Sequence, residues 1–346
     1  MDLNDAMNSL IEKINIKKIE LPTKIKKIHK NFNQNEISLE NFRKIKDKDN
    51  LNFIYIDGGL GEILKVENIA MYIIRIAYVI YENERLENQK FNSFLIMDIE
   101  DDYININFVH DKNGFDLNKL NGKHKIKLTE PLFESMIFSY YSSIFMREAE
   151  KLYSIHITKR KMEENLNLDG IVLDGSLQST GIMENSILND INDFVYRENI
   201  SLIGFSKSHS LKDENGISLD DIMNYVDKDG FCPCYISLGN IKSSDYDANV
   251  YMAKFKEHNP RSFRIDIFNE KDRIDKIMGT FLNYSENLYI PGYPYTLITV
   301  DTLARVRKDE LIFLRDMIHS KIMREKPEII YKLNVENIHD ILNIVR

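Results

Sequence analysis

The chain has 346 residues, 43% of them hydrophobic and 29% charged, with a formal net charge of −8. That length buries a real core as one large domain or two ordinary ones, and the composition is ordinary for a soluble globular protein. No apolar run approaches about 20 residues, which excludes a membrane-spanning helix, and the mixed charges from Asp2 onward are not those expected of a signal peptide.

Residues 1–48 read as a helical arm. Met7, Leu10, Ile11 and Ile14 recur at helical spacing, Pro22 interrupts, and Ile25, Ile28 and Phe32 resume the pattern. Seven lysines between Lys13 and Lys30 make the arm basic, which suits a solvated helix face first and a nucleic-acid contact second. The apolar run at 53–56 predicts a buried strand that delivers Asp57 to a turn at Gly58 and Gly59. Neither a Walker lysine nor a full Gly-x-Gly-x-x-Gly follows, so these glycines are not read as a phosphate loop. Residues 69–81 predict a second strand, and 94–97 with 103–109 a further pair around the acidic turn 99–102. The first aspartate therefore opens an antiparallel meander.

Between 130 and 157 the period becomes helical, with Tyr141, Ile144, Phe145, Glu148, Leu152 and Ile155 on one stripe. Glu148 lies in the middle of that stripe, whereas Glu150 and Lys151 point away. A carboxylate buried unpaired costs several kcal/mol, so Glu148 needs a metal ion or a salt bridge, for example with Arg147. A small register error makes Glu150 the inward carboxylate instead.

Ile171, Val172 and Leu173 fill another buried strand, which ends at Asp174 where Gly175 and Ser176 break it. A lone Asp-Gly is most simply a turn in which the aspartate bonds its own backbone. Two strands that each deliver an aspartate to a glycine suggest one shared acidic site at the rim of a sheet, where open α/β sheets place their chemistry. A helix is expected over 183–197, then a strand over 201–205 that delivers Lys207, suited to neutralising charge on a phosphate; His209 reads as a surface histidine. Cys232 and Cys234 flank Pro233, a spacing that fits neither a zinc knuckle nor an ordinary disulfide and points to a reducing cytoplasm. Strands are expected at 235–239, 249–256 and 263–268, and a helix from about 272 to 281. In 289–295 two prolines and Gly292 fix a rigid turn. A helix entered near Thr296 or Leu297 then carries Asp301 close to Tyr293 and continues through Leu303, Val306, Leu311, Leu314 and Met317. The plainer roles are packing for Tyr293 and a favourable helix N-terminal charge for Asp301.

Asp57, Glu148, Asp174 and Asp301 together offer three or four hard oxygen ligands, a set that selects Mg²⁺ or Mn²⁺ over zinc. Two such ions about 3.5–4 Å apart activate a water and stabilise the leaving oxygen of a phosphodiester. The acidic net charge argues only mildly against nucleic acid, because carboxylates gathered for metal make a site locally acidic while basic patches elsewhere track the backbone. A meander with one carboxylate, a helix, then a parallel strand with another carboxylate gives an α/β fold. This order matches an RNase H-like core, and the expectation is a mixed sheet flanked by helices with an N-terminal helical extension. Aspartates at strand ends beside glycines also suit an actin-like nucleotide-binding protein, though the chain is short for one and shows no second phosphate-binding hairpin. A non-catalytic subunit that binds DNA is the third reading.

The ordered set Ile-Asp-Gly-Gly at 56–59, Leu-Asp-Gly-Ser-Leu at 173–177, Ser-Lys at 206–207 and Gly-Tyr-Pro-Tyr-x-Leu at 292–297 resembles the NurA nuclease family over about 55–305. The resemblance implies an RNase H-like nuclease domain over 49–346 behind the arm 1–48, manganese as cofactor and a homodimer. It implies degradation of DNA 5′ to 3′ and cutting of single strands, in company with the HerA hexameric ATPase during resection of double-strand breaks. By residue, it implies Asp57 and Asp174 as metal ligands, Glu148 as the helix carboxylate and Lys207 as the charge-stabilising lysine. Tyr293 and Asp301 match its C-terminal tyrosine and its histidine-or-aspartate position. The arm is then a dimer arm or a HerA contact.

Overall fold

The computed structural model describes residues 3–13, 18–82, 85–110, 122–128, 134–179, 182–228, 230–286 and 290–329. The chain opens with helix α1 (Leu3–Lys13). Four short strands follow: β1 (Thr23–Lys24), β2 (Phe32–Gln34), β3 (Glu36–Ile37) and β4 (Arg43–Lys44). The helical pattern expected to resume after Pro22 is therefore extended chain. Ile25 and Phe32 are buried, not on a helix stripe but within the same core as the main sheet, alongside Ile37 and Phe42. Three apolar residues spaced by three and four fit either state, and long-range pairing decides between them. Ile14 and Lys17 lie outside the described residues.

The meander comprises β5 (Phe53–Val66), β6 (Ile69–Glu82), β7 (Arg85–Glu100), β8 (Tyr103–His110) and β9 (Gly122–Lys127), each antiparallel to the next. β5 does not turn at Gly58. It stays paired with β6 through Asp57↔Ala77, Gly58↔Ile76 and Gly59↔Arg75, because the partner strand supplies bonds that local propensity does not. After it come α2 (Glu134–Glu163), β10 (Gly170–Asp174), α3 (Ile182–Arg197), β11 (Ser201–Ser206) and α4 (Leu219–Asp227). The expected helix start at 130–133 lies outside the described residues. The chain ends with β12 (Cys234–Ser243), β13 (Tyr246–Lys254), β14 (Phe263–Phe268), α5 (Ile274–Tyr284), α6 (Tyr295–Ala304) and α7 (Lys308–Glu325). The single helix expected from 296 onward is thus two. Its break falls where Arg75 of β6 takes the carbonyl of Arg305 at 3.0 Å.

Twelve strands make one sheet in the order β2-β12-β13-β14-β11-β10-β5-β6-β7-β8-β9, with β4 also on β12. β10 runs parallel to both β5 and β11, and the other pairs are antiparallel. The central run β7-β6-β5-β10-β11 is the RNase H-like arrangement. Side chains alternate across it. Ile54, Ile56, Ile171 and Leu173 face a core shared with α2, α3 and α4. Phe53, Tyr55, Val172, Ile203 and Phe205 face a second core shared with α5 and α6. Among the described residues no helix is long and apolar enough to cross a membrane. Cys232 and Cys234 are free, buried thiols whose sulfurs lie 3.1 Å apart.

Candidate metal centre

Strand register creates the site. β5 and β10 are paired in parallel up to Ile56↔Leu173, so the next residues, Asp57 and Asp174, stand side by side. By alternation both lie on the face that carries α5 and α6. Gly175 follows Asp174 with φ of +104°, a conformation that favours glycine. Its N–H donates to the carbonyl of Phe205 at 2.9 Å and closes the turn against β11.

The third aspartate arrives on a helix. A Cβ on Gly59 would stand 1.9 Å from the carbonyl oxygen of Ala304. Only glycine lets the end of α6 rest directly on β5. That contact carries Asp301 to the strand aspartates, and one carboxylate oxygen from each of Asp57, Asp174 and Asp301 lies within 4.8 Å of the others.

Lys207, one residue past β11, reaches the group from the side. Its Nζ lies 2.5 Å from Asp174 Oδ2 and 2.6 Å from Asp301 Oδ1. Arg305 donates to Asp301 Oδ2 at 2.8 Å, and the Gly58 N–H donates to Asp57 Oδ1 at 2.8 Å. Burial, with the charge of Asp174 adding, pushes the Asp57 carboxyl up to about 7. Burial raises Asp174 as well, against the pull of Lys207. It acts upward on Asp301 too, but the bonds from Lys207 and Arg305 outweigh it and hold that carboxyl low. Burial disfavours the Lys207 ammonium, yet its two carboxylate partners raise its pKa overall. Carboxylates crowded until one resists ionisation are electrostatically short of a cation.

Tyr293 is buried between Phe205 and Phe263, with ring centroids 5.6 and 5.5 Å away. Its hydroxyl has no hydrogen-bond partner among the described residues. Burial, and then the fields of Asp174, Asp57 and Asp301, raise its pKa, so the orphaned hydroxyl stands close to the acidic group. Tyr289 lies outside the described residues.

The two glutamates expected to offer a helix carboxylate stand on α2, on the opposite face of the sheet. Glu148 and Glu150 are both buried there, and neither is among the carboxylates gathered as Asp57, Asp174 and Asp301. Glu150 approaches them: its Oε2 would be 3.5 Å from a Cβ on Gly58. Burial, then the charge of Asp57 with Asp174 adding, holds the Glu150 carboxyl well above the usual range. The stripe argument favours Glu148 because it assumes a wet face, yet Glu148, Ala149, Glu150 and Lys151 are all buried. A helical turn buried at four successive positions has no apolar stripe to point the way.

Two supporting residues escape a sequence reading. Arg305 had a signal, standing four residues after Asp301 on one helix. Arg75 had one too, as a lone charge inside an apolar strand. It is 2% exposed and pairs with Glu310 of α7 as well as binding the Arg305 carbonyl. His209 is not a surface residue, since its ring is buried with Nε2 3.5 Å from Asp220. Beside Asp174 and Lys207 opens a groove of about 690 Å³ whose wall includes Arg264.

A family model described as the NurA domain matches residues 51–306. Among curated proteins none matches the chain. Among solved structures, the NurA nuclease from Sulfolobus solfataricus aligns with a TM-score of 0.53 at 13% identity, over 83% of this chain and 88% of that one. The catalytic domain of human endonuclease V aligns with a TM-score of 0.33 at 11% identity, over 80% of this chain and 91% of that one. An Argonaute of A. aeolicus aligns with a TM-score of 0.33 at 10% identity, over 74% and 28%.

Proposed function

The chain belongs to the NurA family, and from that premise we propose that it is a metal-dependent DNA nuclease. In this reading it degrades DNA 5′ to 3′ and cuts single strands, as a cytoplasmic homodimer working with a HerA-type hexameric ATPase in double-strand-break resection. The observation that carries the hydrolytic part is the convergence of Asp57, Asp174 and Asp301 within 4.8 Å.

A divalent cation fits these residues. The donors are hard carboxylate oxygens, which suit Mn²⁺ or Mg²⁺, and their mutual repulsion helps raise Asp57 to about 7. Asp57, Asp174 and Asp301 would hold it, and Glu150 reaching Asp57 from the other face supports a second position. Bound there, divalent cations supply a more acidic water and Lewis-acid stabilisation of the phosphodiester's developing charge. Lys207, with a side chain 40% exposed, presents its ammonium to a phosphate oxygen at the mouth of the groove. The Tyr293 hydroxyl, buried and without a partner among the described residues, is a donor for an oxygen of the substrate or of a water. Gly59 and Arg75 set the position of α6 and so of Asp301.

The test incubates purified protein with labelled single- and double-stranded DNA in Mn²⁺, Mg²⁺ or EDTA, beside folded Asp57→Ala and Asp174→Ala proteins. Metal-dependent cleavage abolished by both substitutions supports the reading. Cleavage that survives both means a different site. Absence of cleavage by the unaltered protein, even with a HerA-type ATPase and ATP, favours a subunit that only binds.

A further inference from the structure

Arg264 stands on β14, paired in register with Ser206 at the end of β11. Its guanidinium is locked in place. Nε donates to Asp266 Oδ1 at 2.8 Å, and Nη2 donates to Asp266 Oδ2 at 3.1 Å and to the hydroxyl of Tyr246. The Arg264 side chain is 11% exposed and that of Asp266 is 0% exposed. Asp266 Oδ2 also accepts the N–H of Leu177 at 3.1 Å, three residues past Asp174. One buried carboxylate therefore fixes both the arginine and the turn that carries a metal-site aspartate. Nη1 takes no part in these bonds, and the residue lines the groove together with Asp174 and Lys207. A guanidinium held by a carboxylate fork, with one nitrogen left over at a polar wall, is a preorganised donor for an oxyanion.

The groove says what kind of ligand this would be. Its volume of about 690 Å³ is that of a small-molecule site and admits a nucleotide. Four serines, among them Ser176 and Ser208, line it, Leu211 is the apolar part, and the one ring in its wall, that of His209, is 3% exposed and offers no open face. A strand held here finds hydroxyl and guanidinium donors for its sugar and phosphate but no platform on which a base stacks.

We propose that this groove is the subsite for the nucleotide next to the scissile bond, with Arg264 Nη1 donating to that nucleotide's phosphate. The proposal rests on the nuclease reading above. It makes recognition at this position a matter of backbone, indifferent to base.

Binding of fluorescent single-stranded oligonucleotides to the full-length protein, followed by anisotropy in EDTA over a range of salt, tests it. The variants are Arg264→Lys and the double variant Arg264→Gln with Asp266→Asn, which leaves no buried carboxylate unpaired. Circular dichroism shows whether each is folded. The double variant is expected to bind about tenfold more weakly, equally for different base sequences. Its plot of log affinity against log salt should flatten by about 0.7, the share of one single-strand phosphate. Arg264→Lys, which keeps the charge and loses the fork, should recover the slope and only part of the affinity. One methylphosphonate beside the cleavage position should weaken binding to the unaltered protein and add nothing in the double variant, while an abasic site there changes neither. Folded variants with unaltered affinity and slope, or a loss that depends on the base, would overturn the subsite. An unaltered protein that neither binds nor cleaves single strands would instead overturn the nuclease reading, and the subsite with it.

Discussion

Replacing Asp57 by asparagine separates what the acidic cluster costs the fold from what it does. The Asp57 carboxyl is raised from 3.8 to about 7, with burial the largest cause. The folded chain therefore holds this proton more tightly than the unfolded chain does. The stability that follows is fully present below pH about 3.8 and is lost as pH rises through about 7. The difference is about 3 units, which at 1.36 kcal/mol each is on the order of 4 kcal/mol over the whole span. Roughly half, about 2 kcal/mol, falls between pH 5.5 and 7. Asparagine keeps the shape and an oxygen for the Gly58 N–H but does not titrate. Urea unfolding in EDTA at pH 5.5 and 8 should show the unaltered protein losing about 2 kcal/mol more than Asp57→Asn across that interval. Mn²⁺ should then stabilise the unaltered protein and not the variant, and the variant should not cleave DNA. Parallel pH dependences, or a variant less stable at pH 8, would show that Asp57 ionises without penalty and that the carboxylates are not crowded.

Four further substitutions probe the site and the fold that carries it. Gly59→Ala places a methyl 1.9 Å from the Ala304 carbonyl oxygen. It should cost about 1–3 kcal/mol in denaturant unfolding and lower cleavage at least about tenfold by moving Asp301; unaltered cleavage would show that α6 does not need the contact. Glu150→Gln should weaken Mn²⁺ binding in calorimetry while Glu148→Gln should not, and the reverse result would make Glu148 the helix ligand. Lys254→Met strands Asp227, its buried partner at 2.7 Å, and should cost about 3–5 kcal/mol. A loss below about 1 kcal/mol in chemical denaturation would mean that Asp227 finds another partner.

What was legible from sequence depended on how local the cause is. Asp57 and Asp174 follow short, apolar, partly β-branched runs, and a run of that kind shows itself within a few residues. Their meeting could be read as well, because two copies of one pattern suggest two neighbouring strands. The extended segments at Thr23–Lys24 and Phe32–Gln34 could not, since their hydrogen bonds come from elsewhere in the chain. Likewise the break after Ala304 depends on Arg75 reaching from β6. The choice between Glu148 and Glu150 is hard for a different reason: burial at every position of the turn Glu148–Lys151 erases the periodic signal that locates an inward face.

The glycines after Asp57 show how a correct observation received the wrong cause. Glycine after an aspartate reads as a turn, and the strand continues instead. Gly59 lacks a side chain because a helix backbone lies where that side chain would be. Register alone brings Asp57 and Asp174 together, since each follows a residue of the last parallel pair, Ile56↔Leu173. A third carboxylate on a helix faces a harder problem, because packed helices and strands are ordinarily held apart by their side chains. Removing the Cβ at the point of contact is the direct way to lower Asp301 onto Asp57 and Asp174. The same glycine that looks like a break in the strand is thus what permits a three-aspartate site, and a sequence bearing Asp-Gly-Gly in a buried strand should be searched for the helix that rests there.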